Sequence, residues 1–110
     1  MAEVLTSIEE LRSRIDVIDE QLVRLLIVRV ACAVEVGKLK HEAGLPIYQP
    51  EREAQVLGGV RQAAMELAGP LTAEAVVRIF ERIIDEARRA ERAASRAGEE
   101  PRPSLDEPEL

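Results

Sequence analysis

Four charged side chains stand out because of where they fall: Arg12, Arg29, Lys40 and Glu91. Arg29 occupies a position where a helical repeat calls for an apolar side chain. Lys40 follows eleven residues later, which at 100° per residue returns to within about 20° of the same face, about 16 Å along the axis. Two long cations can therefore lean toward one small anion. Arg12 lies about 25 Å from Arg29 and roughly 100° around the helix, too far to join them within one chain. In an antiparallel dimer, Arg12 of one subunit can approach the Arg29 region of the other. A cation at a seam can instead set register or reach solvent. Glu91 lies one turn beyond Ala87 on another apolar stripe, so a carboxyl is aimed at the edge of a core. Its plainer reading is an ion pair with Arg88 or Arg92.

The element that must carry the three cations runs from Ser7 to His41. Ile8, Leu11, Ile15, Ile18, Leu22 and Leu25, continued by Cys32 and Val36, recur at helical spacing. Thr6 and Ser7 each offer a cap with Glu9 or Glu10 three residues on. Gly44 and then Pro46 mark the stop. Such a helix is a rod of roughly 50 Å, whereas a domain of about 100 residues has a radius of gyration near 13 Å. The chain cannot cover it alone, and a two-fold homodimer is the simplest partner.

Further along, the loop from Ala43 to Gln49 carries apolar residues expected to pack down on the bundle. Pro50 opens a second helix with Glu51 and Glu53 in its first turn, where the helix dipole favours acids. Val56, Leu57, Val60, Ala64 and Leu67 form its inner face. Gly58-Gly59 implies either local weakness or close packing, and Gly69-Pro70 ends the element. Thr72 caps a third helix to about Arg92, with Val76, Val77, Phe80, Ile83, Ile84 and Ala87 inward. From Ser95, prolines and acids replace the periodicity, so residues 1–94 read as the domain and 95–110 as a disordered acidic tail.

Composition narrows the classes of function. The formal net charge is −6, and Tyr48 and Phe80 are the only aromatics, so phosphate-backbone binding and base-stacking platforms are disfavoured. No apolar run reaches about 18 residues, which argues against a membrane span. Neither a leader peptide nor a metal-ligand spacing is read. Cys32 is the single cysteine; it is expected as a small core residue in a reducing cytoplasm. Lys38 and His41 read as solvent-facing. No Ser-His-Asp or Cys-His arrangement offers a nucleophile.

The order Leu11-Arg12-x-x-Ile15-Asp16-x-x-Asp19, Leu25-Leu26-x-x-Arg29, Ala33-Val34-Glu35-Val36-Gly37-Lys38-x-Lys40 and Gln49-Pro50-Glu51-Arg52-Glu53 resembles the all-helical class of chorismate mutases. The resemblance covers about residues 5 to 92 and is most specific from Arg29 to Glu53. It implies an all-α fold of three helices, the first very long, intertwined as a homodimer whose two active sites each borrow an arginine from the other subunit. It also implies a reaction, the cofactor-free rearrangement of chorismate to prephenate on the way to phenylalanine and tyrosine.

Carried over by position, the resemblance implies that Arg29 and the partner's Arg12 hold the two substrate carboxylates, a task suited to a planar, always-charged fork. Lys40 reaches a carboxylate and the ether oxygen. Glu53 accepts from the ring hydroxyl with Arg52 in support, and Glu91 stands where the family has a Gln or Glu that donates to the ether oxygen. A carboxylate cannot donate, so Glu91 works only when protonated, a state that apolar surroundings favour. Gln49 stands in a place often held by Asp, which leaves its backbone N–H. Ala87 stands where a relative has Ser, removing one polar contact.

Such a rearrangement needs the substrate held in its reactive shape and donors aimed at the oxygen where charge develops. Two other readings stay open: an isochorismate-pyruvate lyase with a similar cation layout, and a helical module that regulates or assembles with another enzyme of the same pathway.

Overall fold

The computed structural model describes residues 1–99. Among them there are three helices and no strand: α1 (Ala2–Ala43), α2 (Pro50–Glu66) and α3 (Ala73–Glu99). The chain divides into two units, Met1–Cys32 and a second beginning at Ala33.

The first unit is the part of α1 up to Cys32, and α1 begins earlier than the periodicity indicates. Residues 2–6 contain neither Gly nor Pro, and Glu3 sits in the first turn where the dipole favours it. Thr6 is therefore no cap: it lies inside the helix, and its hydroxyl donates back to the Ala2 carbonyl at 3.0 Å. The apolar stripe is uncovered, with Leu11, Ile15, Ile18, Leu22 and Leu25 each about half exposed or more. Cys32 is exposed as well, contrary to the core position expected of it.

In the second unit α2 packs against α3. Val56, Leu57, Val60 and Ala64 of α2 and Val76, Val77, Phe80, Ile83 and Ile84 of α3 are half-buried, as their spacing requires. Leu67 instead caps α2 in extended conformation and is exposed. Arg61 of α2 pairs with Glu74 in the first turn of α3. The Thr72 hydroxyl accepts from the Ala75 N–H at 3.1 Å, the expected cap. α2 is continuous through Gly58 and Gly59, and a Cβ at either would meet open space within this chain.

α3 continues past Arg92, because Ala90, Ala93, Ala94 and Ala97 are the strongest helix formers and no Pro intervenes before position 101. Residues 95–99, expected to open a disordered tail, are helical; residues 100–110 lie outside the described part. No described helix is long and apolar enough to cross a membrane.

Candidate active site

Lys40 is fixed from its own backbone outward. Gly44, at φ 69°, ends α1 in the left-handed conformation that glycine adopts without penalty. The Gly44 N–H donates to His41 O at 3.2 Å and the Leu45 N–H to Lys40 O at 2.9 Å, the paired bonds of a Schellman stop. The turn brings the chain back so that the half-buried Lys40 Nζ donates to Ile47 O at 3.4 Å. That is a long bond, and an anion can replace the carbonyl at small cost. Leu45, Ile47 and Tyr48 do not pack down as expected; all three are exposed.

Gln49 precedes α2 and makes no side-chain cap. Its carbonyl accepts from the N–H groups of Arg52 (3.1 Å) and Glu53 (3.3 Å), while Pro50 at the first helical position has no N–H to satisfy. Glu53 is half-buried, and its Oε2 accepts from Arg88 of α3. Arg52 does not support Glu53 here: it is exposed and donates along its own helix to Gln55 Oε1 at 3.5 Å. Consecutive residues on a helix point about 100° apart.

Ala87 is the one buried hydrophobic residue of the described chain, at 4 % exposure. One turn later, half-buried Glu91 lies over Gly37 of α1. A Cβ built on Gly37 would stand 3.7 Å from Glu91 Oε2. Among the described residues nothing hydrogen-bonds or ion-pairs with Glu91. Arg88, a candidate partner for it, is engaged with Glu53 and with Asp85 at 3.4 Å.

Lys40, Gln49, Glu53, Ala87 and Glu91 all belong to the second unit, on the last turns of α1, the start of α2 and the middle of α3. Arg12 and Arg29 belong to the first. Arg12 is exposed and makes an i,i+3 pair with Glu9 at 3.2 Å, a surface bond worth little and easily given up. Arg29 is half-buried.

The site thus offers a lysine donor, an oriented carboxylate acceptor and a carboxyl set against backbone. The chorismate mutase type II family model matches residues 11–92, the stretch that holds every one of these groups. The chain belongs to that family. It is 32% identical to the chorismate mutase of Thermus thermophilus, whose solved structure superposes with a TM-score of 0.69 over 77% of this chain and 93% of that one. Relatives include the T-protein of Haemophilus influenzae, 40% identical over 73% of this chain, and the bifunctional chorismate mutase/prephenate dehydratase of Aquifex aeolicus, 40% identical over 70%. The chain spans about a fifth of the length of these two curated relatives, 21% and 22%.

Arg88 is the residue that sequence reasoning undervalued. It was legible only as a possible neighbour of Glu91, because a cation on a helix carries no local sign of a partner 35 positions away.

Proposed function

We propose that the chain rearranges chorismate to prephenate as a homodimer with shared active sites. The observation that carries this reading is the family match over residues 11–92, together with the placing of Glu91 over Gly37, one helical turn before Lys40. Arg29 and Arg12 of the partner subunit hold the two carboxylates of the substrate by bidentate pairing. Lys40 exchanges the Ile47 carbonyl for a substrate carboxylate and the ether oxygen. The Glu91 carboxyl donates to the same oxygen as negative charge grows there in the transition state. One donor so placed is worth about 10²–10³ in rate. Glu53 accepts from the ring hydroxyl, and the Gln49 N–H is available to a carboxylate.

The homodimer is supported by the uncovered stripe of α1. Burying a half-exposed Leu or Ile contributes on the order of 1 kcal/mol, so Leu11, Ile15, Ile18, Leu22 and Leu25 paired with their copies offset a large part of the association cost. A second enzyme of the same pathway is a further proposed partner, supported by the bifunctional relative, in which the matched segment is joined to much more chain. The cytoplasm is the proposed location, which suits a lone cysteine.

The test is product analysis by NMR with purified protein and chorismate, and isochorismate in parallel. Prephenate from chorismate is expected; pyruvate from isochorismate with no prephenate would replace the mutase by the lyase.

A further inference from the structure

Arg88 lies outside the motifs that carry the resemblance, yet its side chain bridges several parts of the site. It stands on α3 between buried Ala87 and Glu91, with its side chain 36% exposed. Its guanidinium donates to Glu53 Oε2 on α2 and through Nη1 to Asp85 Oδ1 at 3.4 Å. The same group lies over the Tyr48 ring, 5.9 Å from its centre, within reach of a cation–π contact. One rigid, planar group therefore touches the start of α2, its own helix and the loop between α1 and α2.

Two consequences follow for a site that uses Glu53. First, Oε2 accepts from the guanidinium, which restrains the carboxylate and favours Oε1 as the acceptor for a ligand hydroxyl. Second, a fixed cation beside Glu53 offsets the repulsion that a bare carboxylate exerts on a dianionic substrate. The Tyr48 contact extends the effect: Tyr48 adjoins Ile47, whose carbonyl receives Lys40 Nζ. Arg88 thus braces the loop that holds Lys40 as well as the acid opposite.

We propose that Arg88 is a positioning residue for Glu53, holding one carboxylate oxygen so that the other meets the ring hydroxyl of the substrate. The inference rests on the mutase reading above. A residue that acts through Glu53 has nothing to act through once Glu53 is gone, whereas a role through Asp85 or Tyr48 persists, and a mere helix staple through Glu53 shows in thermal unfolding and not in kcat.

The experiment is a double-mutant cycle on the full chain: Arg88→Ala, Glu53→Ala and the double variant, each assayed for kcat and KM on chorismate beside thermal unfolding. Arg88→Met, which keeps the stem over Tyr48 but not the donors, runs through the same cycle and decides the matter if the alanine variant does not fold. The expected result is a loss of about 10- to 50-fold in kcat/KM with Glu53 present, from one charge-assisted bond. In the Glu53→Ala background the loss falls below about 3-fold. Arg88→Lys restores part of the activity, since it keeps the charge but not the fork. Equal losses in both backgrounds, or an unchanged kcat/KM in folded Arg88→Met, overturn the role of Arg88 and leave the mutase reading intact. A folded wild-type chain that makes no prephenate overturns both.

Discussion

Gly37 gives the sharpest quantitative handle on the site, because the three nearest atoms that a side chain there would meet, its own helix's backbone aside, all belong to Glu91. An added Cβ stands 3.7 Å from Oε2, 3.8 Å from Cγ and 3.9 Å from Cδ, all ordinary van der Waals distances. Gly37→Ala therefore leaves Glu91 in place. It also removes a helix-interior glycine, a gain of about 0.8–1 kcal/mol, seen as a rise of several degrees in Tm for a chain of this size. Gly37→Val behaves differently. Its γ carbons lie about 1.5 Å beyond Cβ, so one aimed at the carboxyl approaches to about 2.5 Å and Glu91 must move by roughly 1 Å. A displacement of that size at a reacting centre costs on the order of 10²-fold in rate. Initial rates of prephenate formation, with thermal unfolding of each variant, read both effects. Valine at wild-type rate within about 3-fold, or alanine losing as much as valine, would refute the placement of Glu91.

Three other outcomes are expected. Glu91→Gln, whose amide N–H can donate to the ether oxygen, keeps prephenate formation within about 10-fold of wild type, whereas Glu91→Leu lowers it by about 10²-fold; equal rates in the two variants speak against the donor role. Mixing Arg12→Ala chains with Arg29→Ala chains recovers activity, since a mixed dimer contains one site with both arginines; confirmed subunit exchange without recovery rules out a shared site. The Glu74 carboxyl is held below the ordinary carboxylate range, chiefly by a hydrogen bond from its own backbone N–H and then by the Arg61 guanidinium. Its stabilising contribution is therefore present above the ordinary range and lost as pH falls through the lowered value. Glu74→Gln makes stability, followed by urea unfolding between about pH 5 and pH 3, less steeply dependent on acid; an identical acid dependence would contradict this.

Local chemistry wrote the most readable parts of the fold. The Pro50 and Thr72 starts and the Gly44 stop each depend on a single residue's dihedral preference or hydroxyl, and all three stand where the sequence put them. The apolar faces of α2 and α3 followed from period alone. The first turns of α1 were hidden because Thr6 serves a cap and an interior back-bond equally well, and only the absence of breakers in residues 2–6 favours the second. The end of α3 was hidden by Ser95, whose modest helix propensity is outweighed by the alanines around it. In the site, Lys40 and Glu91 were legible because charge interrupts or ends an apolar stripe. The Glu53–Arg88 pair was not: it joins two helices, and the resemblance pointed to Arg52 instead.

The central claim is that these residues carry out the rearrangement, and turnover of chorismate by wild-type and Lys40→Ala chains, prepared identically and followed by NMR, tests it most directly. The account predicts prephenate from the wild type and a rate at least about 10²-fold lower for Lys40→Ala, with helix content and assembly state unchanged. A Lys40→Ala chain that keeps the wild-type rate, or a folded wild type that makes no prephenate, would contradict it.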